Sequence, residues 1–153
     1  MRVPVKTDYA IRALVELAGQ PADAAWVPAE RIAQAQNIPT RFLLNILTDL
    51  RRAGMVKSQR GVDGGYKLVR EPWAIPLADV IRVIDGPLAS IGDLRPEQLE
   101  YPENTAHLQD LWVAVRASLR SVLERVTIDD LAKGKLPAHV ARMVSSEDSW
   151  LPR

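Results

Sequence analysis

The segment 38–69 limits the possible folds of this chain more than any other part of the sequence. Apolar residues recur there at helical spacing, and Gly54 is a natural end for the helix. Two short β-prone runs, 55–59 and 66–69, follow on either side of the glycine-rich turn 60–65. A helix followed by a two-stranded hairpin is the plan of a winged helix. The helix positions expected to be buried are Phe42, Leu43, Ile46, Leu47 and Leu50.

Two shorter helical patterns precede this segment. A first helix is predicted over 6–18, and a second begins at Pro28 and stops at Asn37, a residue that tolerates the left-handed conformation. About three residues separate it from the third helix, predicted over 39–53, so the two helices turn sharply as in a helix-turn-helix. The sequence therefore predicts a mainly α fold with a small two-stranded β-wing, organised as a winged helix-turn-helix domain that binds DNA.

Charge is distributed unevenly along the chain. Residues 38–70 contain seven basic and two acidic side chains, residues 71–153 contain nine basic and thirteen acidic ones, and the whole chain has a net charge of +1. Basic segments attract phosphates, so this distribution favours nucleic-acid contact at the winged segment. The alternative is that these charges only solvate an exposed helix.

One face of the third helix contains the residues best suited to DNA. Its polar positions are spaced four, three and four residues apart, which places them on one side of the helix. They are Arg41, Asn45, Thr48 and Arg52. The first two suit base edges and the last two suit phosphates. Arg60, at the tip of the hairpin, suits the minor groove. An ordinary solvated face is the alternative interpretation of the helix.

Composition excludes several classes of site. The absence of cysteine excludes disulfides, thiolate catalysis and thiolate-bound zinc or iron–sulfur clusters, and two histidines are too few for an all-histidine metal site. No nucleophile–base pair or pair of carboxylates points to an enzyme. There is no run of eighteen apolar residues, and Asp8 and Arg12 interrupt any signal-peptide pattern. We therefore expect a cytoplasmic protein that does not bind a metal or a membrane.

A long helix in the second half predicts self-association. It is predicted over about 105–126, with apolar residues at alternating steps of four and three, a heptad stripe. These are Leu108, Trp112, Val115, Leu119, Val122 and Val126. Because the stripe is roughly 30 Å long, a small winged domain cannot cover it alone, and we predict a two-fold dimer. Packing against the first helix and a fourth helix, 77–84, is the alternative.

These patterns divide the chain into four parts. They are a winged helix-turn-helix domain (1–86), a connecting loop (87–103), a dimerisation helix with a short following helix (104–134), and a C-terminal tail (135–153). The short helix is predicted from the capping-box pattern Thr127 to Asp130.

Three motifs together resemble one known family. They are Lys6-x-x-Tyr9-Ala10-x-x-Ala13-Leu14, Phe42-Leu43-x-x-Ile46-Leu47-x-x-Leu50-x-x-Ala53-Gly54 and Ser58-x-Arg60-Gly61-x-x-Gly64-Gly65-Tyr66-x-Leu68. Over about residues 1–134 the chain resembles the Rrf-two family of bacterial winged-helix transcriptional regulators, the group of IscR, NsrR and CymR. The hairpin motif is the most specific part of the match.

The resemblance implies homodimers that bind pseudo-palindromic operators, usually as repressors. It implies that the recognition helix enters the major groove and the wing enters the minor groove. The contacts implied near the N-terminus, for phosphates, are Arg2, Lys6 and Tyr9, and those implied in the major groove are Thr40, Arg41 and Asn45. The wing residues are Ser58, Arg60, Gly61, Gly64, Gly65 and Tyr66, of which Tyr66 either contacts DNA or packs the wing on the domain.

The sequence departs from the family pattern in two ways. Cluster-binding relatives have three cysteines in the loop before the long helix, whereas this chain has Gly92, Gln98 and Asn104, so no cofactor is expected. His107, near a fourth ligand position of some relatives, is interpreted as a capping or surface residue. Leu44 occupies a recognition-helix position where some relatives have Glu, which leaves the operator sequence open.

Two hypotheses of function follow. The first is a cluster-free homodimeric repressor that binds double-stranded DNA and is switched by a small metabolite or a partner protein. Its candidate pocket wall comprises Leu94, Leu99, Tyr101 and Trp112, for which ordinary dimer core is the favoured interpretation. The second is a winged-helix interaction module that has lost DNA binding. The intact Arg60 and the basic recognition helix argue against the second hypothesis.

Overall fold

The computed structural model describes residues 2–21 and 23–152. The described residues form seven α-helices and one two-stranded antiparallel sheet. In chain order these are α1 (Val5–Ala18), α2 (Ala29–Gln36), α3 (Thr40–Arg52), β1 (Val56–Gln59), β2 (Gly65–Leu68), α4 (Leu77–Ile84), α5 (His107–Leu123), α6 (Ile128–Ala132) and α7 (Ala138–Val144). The predicted fold class, mainly helical with a two-stranded wing, is confirmed.

The core lies between α1, α2, α3 and the start of the sheet, and α4 and α6 each add a buried residue to it. Its largest fully buried side chains include Leu14, Ile32, Leu43, Ile46, Leu47 and Leu50. Burying a side chain of this size contributes about 1.5–3 kcal/mol, so this cluster holds the three helices together. The heptad-like apolar spacing of α3 is what places its opposite face in solvent.

A left-handed residue produces the sharp turn between α2 and α3. Asn37 has φ 50° and ψ 52°, and the amide of Ile38 donates to the carbonyl of Ala33 at 2.9 Å. Asn tolerates this conformation better than most residues, which explains why α2 ends there. The predicted helix-turn-helix is therefore present.

The backbone at Val27, just before α2, fixes the hairpin to the core. Tyr66 in β2 exchanges two main-chain hydrogen bonds with Val27, at 2.8 and 3.1 Å. The close approach requires glycine at position 65, because a Cβ there would lie 2.4 Å from the Val27 carbonyl carbon. The wing is thus fixed on the helical domain.

The structure corrects two predictions about buried residues and helix ends. Phe42 was expected in the core, but it is 41% exposed and lies against the edge of Tyr9 with ring centroids 5.8 Å apart. Helix α5 ends at Leu123, so Val126 is not part of its stripe. Val126 is 2% exposed within the single chain and cannot add apolar area to a dimer contact.

Helix α6 packs into the winged domain, although the sequence analysis groups it with the long helix. Ile128 is fully buried in the core cluster, and its amide donates to the carbonyl of Ile75 at 3.0 Å. The predicted capping box is present, with Thr127 Oγ1 accepting from the Asp130 amide at 3.2 Å. The chain therefore returns to its first domain after α5.

The predicted C-terminal tail, 135–153, contains a short helix and a 3₁₀ turn. Helix α7 is followed by a 3₁₀ turn, Glu147–Trp150, in which Trp150 Nε1 donates to the Val144 carbonyl at 2.8 Å. The tail prediction also included Arg153, which lies outside the described residues. Within the described ranges, no helix has both the length and the apolar character needed to span a bilayer.

Candidate nucleic-acid interface

The outer face of α3 presents polar side chains to solvent. Arg41 and Asn45 are exposed and form no side-chain hydrogen bond or ion pair within the described part of the chain. Thr40 is also exposed, whereas Thr48 is half-buried and its hydroxyl donates to the Leu44 carbonyl at 2.9 Å. The donors of Arg41 and Asn45 are therefore available to an external partner.

Asp49 connects two of the predicted phosphate contacts. Its Oδ2 lies 2.7 Å from Lys6 Nζ, and its Oδ1 lies 4.0 Å from Arg52 Nη1. The pairing brings Lys6 from α1 to the recognition helix and partly neutralises it there. Sequence reasoning missed this carboxylate because Lys6 and Asp49 are 43 positions apart.

The other two N-terminal contacts implied by the resemblance lie in different places. Tyr9 packs between Phe42 and Arg12, whose guanidinium carbon is 5.3 Å from the ring centroid. Arg2 is exposed and lines a cleft with Leu88 and Leu119, beside α5. The structure thus joins Tyr9 to the base of α3 and does not join Arg2 to it.

The tip of the hairpin is open to solvent. Arg60 and Gly61 are exposed, and Arg60 forms no ion pair within the described ranges. Val62, next to them, is fully exposed. Ser58 lies closer to the domain, where its hydroxyl accepts from Arg51 Nη1 at 3.2 Å and links the wing to α3.

The remaining wing residues have structural roles. Gly64 is buried, and a Cβ there would lie 2.3 Å from the Gln59 carbonyl oxygen, so the turn can close only on glycine. Gly65 lies so close to the Val27 carbonyl group that a Cβ would not fit. Tyr66 is half-buried against the core and pairs with Val27 through its main chain. Its position matches the packing alternative.

Trp26 contacts two lysines of the hairpin, a contact that the sequence analysis did not predict. Lys57 and Lys67 are directly paired across the strands, an arrangement in which like charges repel. Both ammonium groups lie over the Trp26 ring, at 5.8 and 5.4 Å from its centroid. Cation–π attraction offsets the repulsion. No local sequence pattern indicates this contact, because Trp26 is far from both lysines in the sequence.

Helix α5 buries none of its residues within the described chain. Leu108 is 36% exposed, and Leu119 and Val122 line an apolar cleft of about 700 Å³ that also includes Met143. Val115 is half-buried. The single chain thus covers four residues of the predicted stripe only in part: Trp112, Val115, Leu119 and Val122.

The connecting loop packs along one side of α5. Trp112 Nε1 donates to the Tyr101 hydroxyl at 3.1 Å, and Gln109 Nε2 donates to the Leu99 carbonyl at 2.9 Å. The structure therefore brings together three of the four residues predicted to line a pocket. The fourth, Leu94, is 48% exposed and pairs its main chain with Ile91.

The residues of this loop do not fit an iron–sulfur cluster. The chain has no thiolate, and Gly92 is a turn residue with φ 58° and no side chain. Gln98 Oε1 accepts from the Arg95 amide at 3.0 Å, and Asn104 is exposed. The His107 ring is fully exposed, with Nδ1 3.5 Å from Asp110 Oδ2.

The fold and the exposed groups define a winged helix-turn-helix protein. A polar helix face and an arginine at a hairpin tip, both without a partner in the described part of the chain, are features that such proteins apply to DNA. The model of the family described as "Rrf2: Iron-dependent Transcriptional regulator" matches residues 3–134. The chain belongs to the Rrf2 family of transcriptional regulators, as the motifs predicted.

Similar proteins agree with this assignment. A Mycobacterium tuberculosis protein with the name of an HTH-type transcriptional regulator is 49% identical over 143 residues, covering 94% of this chain and 88% of that protein. The structure of CymR, the global cysteine regulator of Bacillus subtilis, has TM-score 0.74 and 32% identity, covering 88% and 98% of the two chains. The structure of T. potens IscR has TM-score 0.70 and 31% identity, covering 95% and 94%.

Proposed function

We propose that this regulator is a homodimeric repressor that binds pseudo-palindromic operators and does so without an iron–sulfur cluster. The observation that carries the proposal is that Arg41 and Asn45 on the polar face of α3, and Arg60 of the wing, are exposed and have no partner among the described residues. Exposed donors that no side chain of the protein occupies are satisfied by water in the free protein, and an external partner can replace that water. Duplex DNA supplies acceptors in its major groove and phosphates on both sides.

The chemistry of the side chains suggests their roles. Arginine pairs in a bidentate way with guanine, and asparagine does so with adenine, so Arg41 and Asn45 are assigned to base edges. Lys6 and Arg52, held together by Asp49, are assigned to backbone phosphates. Arg60 is assigned to the minor groove, where the negative potential attracts arginine.

The partly exposed stripe of α5 supports a dimer. A helix of 17 residues with no buried residue is costly in water, because its apolar side chains remain hydrated. A second copy of the same helix would cover Leu108, Leu119 and Val122. Two recognition helices on one side of the DNA would then read half-sites with centres about 34–36 Å apart.

The proposal is tested by selecting genomic DNA fragments on the purified protein and footprinting the fragments that are enriched. We expect an enriched pseudo-palindrome and a two-fold symmetric footprint. Arg60→Ala should weaken binding to that operator while the protein remains a dimer by sedimentation. Lys135→Ala, which removes the same charge at an exposed position after α6, is the matched control and should bind normally.

The interaction-module hypothesis makes the opposite prediction. Under it, no sequence is enriched even at low salt, and Arg60→Ala changes nothing. Repeating the selection with cell extract distinguishes a missing co-effector, which restores enrichment, from a true loss of DNA binding, which it does not restore. A monomer at micromolar concentration would contradict the dimer part of the proposal.

A further inference from the structure

Four arginines from three separate elements line one cleft next to the connecting loop. Arg82 comes from α4, Arg95 from the loop, and Arg116 and Arg120 from α5, around a space of about 430 Å³. Glu97 is the carboxylate among the lining residues. Residues 71–153 have more acidic than basic side chains, and yet four of their nine basic residues converge here. Local sequence composition does not explain that convergence.

Neighbouring carboxylates use only part of the available donors. Arg82 donates to Asp79 at 2.9 Å and to Glu124 at 2.6 Å, and Arg120 Nε donates to Glu124 at 2.9 Å. Arg116 donates once, to Glu97. Each guanidinium has five N–H groups, so these carboxylates leave most of them unused.

Arg95 interacts with Glu97 only through space: its charge helps to lower the pKa of Glu97, after the hydrogen bonds and the charge of Arg116. Its guanidinium forms no hydrogen bond or ion pair with any other described residue. With Asp79, Glu97 and Glu124 included, the four arginines exceed the carboxylates by one positive charge. Arg116 and Arg82 keep 23% and 40% of their side chains exposed, so a small solute can reach them.

The carboxylates of Glu97 and Glu124 occupy guanidinium donors that could also bind an anion from solution. A hydrogen bond from its own main chain and then one from Arg116 hold the pKa of Glu97 below its usual value. Hydrogen bonds from Arg120 and then Arg82 lower the pKa of Glu124. Both carboxylates are bound by the groups that would hold a carboxylate, sulfate or phosphate from solution.

We propose that the cleft between Arg82, Arg95, Arg116 and Arg120 binds a small oxyanion, with carboxylate, sulfate or phosphate oxygens, in exchange for Glu97. Bidentate guanidinium contacts suit all three groups. Binding would fix the loop against α4 and α5. Oxyanion binding itself does not depend on the proposed function. An effect of binding on operator affinity does rest on it, because α5 would set the spacing of two recognition helices in the dimer.

The first test measures binding in the absence of DNA. The full-length protein is titrated with sulfate, inorganic phosphate and citrate at constant ionic strength, against chloride, by calorimetry and thermal unfolding. We expect saturable binding of at least one oxyanion. Arg95→Gln should weaken it about tenfold, because a charge-assisted contact is lost without breaking any contact of the free protein.

A second cleft variant should change binding in the opposite direction, and a third variant is a control. Glu97→Gln removes the competing carboxylate and should tighten binding about fivefold, the opposite sign from Arg95→Gln. Arg125→Gln removes the same charge from an exposed position just beyond α5 and should bind as the wild type does. A merely structural role for the cluster predicts weaker binding or instability in both cleft variants.

Three results would overturn the inference. The first is no saturable binding of any of the three oxyanions beyond chloride, and the second is binding that Arg95→Gln leaves unchanged. The third is an Arg95→Gln protein that binds duplex DNA less well while no small oxyanion binds, which would make DNA phosphate the ligand. If oxyanion binding follows the variants but operator affinity does not respond, the binding site stands and its regulatory consequence is overturned.

Discussion

Lys6 on α1 and Asp49 on α3 form an ion pair with 2.7 Å between Nζ and Oδ2. The pair fixes the first helix against the recognition helix at the edge of the surface assigned to DNA. It also means that the free protein already satisfies a cation that the family resemblance assigns to a phosphate. On that assignment, DNA binding would exchange the partner of Lys6 from Asp49 to a phosphate, with Asp49 as the competing anion.

This exchange predicts that Lys6→Gln weakens DNA binding similarly on all sequences. The slope of log affinity against log salt should fall by about 1, because one phosphate contact is lost. The measurement is a salt titration of operator and random duplexes by fluorescence anisotropy. An unchanged slope would show that Lys6 only braces α1 against α3.

Asp49→Asn is the matching variant at the other end of the pair. It removes a negative charge beside the phosphates and frees Lys6, so DNA affinity should rise. The free energy of unfolding should fall by no more than about 1 kcal/mol, because both side chains are partly exposed, 38% and 31%. Weaker DNA binding by this variant would mean that Asp49 positions Lys6 for the phosphate.

The contact between Gly65 and Val27 predicts that Gly65→Ala destabilises the wing. The new Cβ would lie 2.4 Å from the Val27 carbonyl carbon, and the backbone φ of 153° disfavours a side chain as well. We expect the free energy of unfolding to fall by about 1–3 kcal/mol, the cost of overpacking a rigid contact. Urea unfolding followed by circular dichroism measures it.

Gly19→Ala is the control for the same chemical change. Gly19 has φ −72°, and a Cβ there would lie 3.6 Å from the Glu16 carbonyl oxygen, an ordinary contact. Its stability should change by less than about 1 kcal/mol. Equal effects of the two substitutions would show that the Val27 contact does not constrain the wing.

Local sequence signals predicted the helix-turn-helix and the wing, because they act over a few residues. Asn37 ends α2, and the glycines of the hairpin allow its turn, without help from distant parts of the chain. The polar face of α3 was predictable for the same reason, since helical periodicity separates it from the buried leucines. The DNA-contact assignments themselves remain predictions.

Long-range packing was not predictable. Periodicity assigned Phe42 to the core, although its place at the edge of the apolar stripe leaves it against Tyr9 and solvent. Nothing local shows that Ile128 returns to the core formed with α1, or that Trp26 lies beneath two lysines of the wing. These contacts join residues that are far apart in sequence and depend on the whole fold.

The cluster of Trp26 with Lys57 and Lys67 predicts that Trp26→Leu lowers thermal stability. Each exposed cation–π contact contributes about 0.5–1 kcal/mol, and its loss leaves the two paired lysines to repel each other. We expect a total loss of about 1–2 kcal/mol, measured by calorimetry. Trp26→Phe keeps an aromatic ring and should lose less. Equal losses would assign the effect to packing area alone.

The arginine contacts of Glu124 predict a pH-dependent connection between α4 and α5. Hydrogen bonds from Arg120 and Arg82 lower the pKa of Glu124 in the folded protein, whereas the unfolded chain has the usual value of about 4.5. Because the folded-state pKa is the lower one, the stabilisation is fully present above the unfolded value. It is lost as the pH falls from about 4.5 through the folded-state pKa.

Comparing variants isolates this contribution from other carboxylates that titrate in the same range. The difference in free energy of unfolding between wild type and Glu124→Gln, measured in urea, should be constant from pH 7 to about pH 5.5 and shrink below it. Glu103→Gln removes an exposed carboxylate with no side-chain ion pair in the described chain and controls for the change in net charge. A Glu124→Gln difference that stays constant down to pH 3 would show that the arginines do not stabilise the charged form.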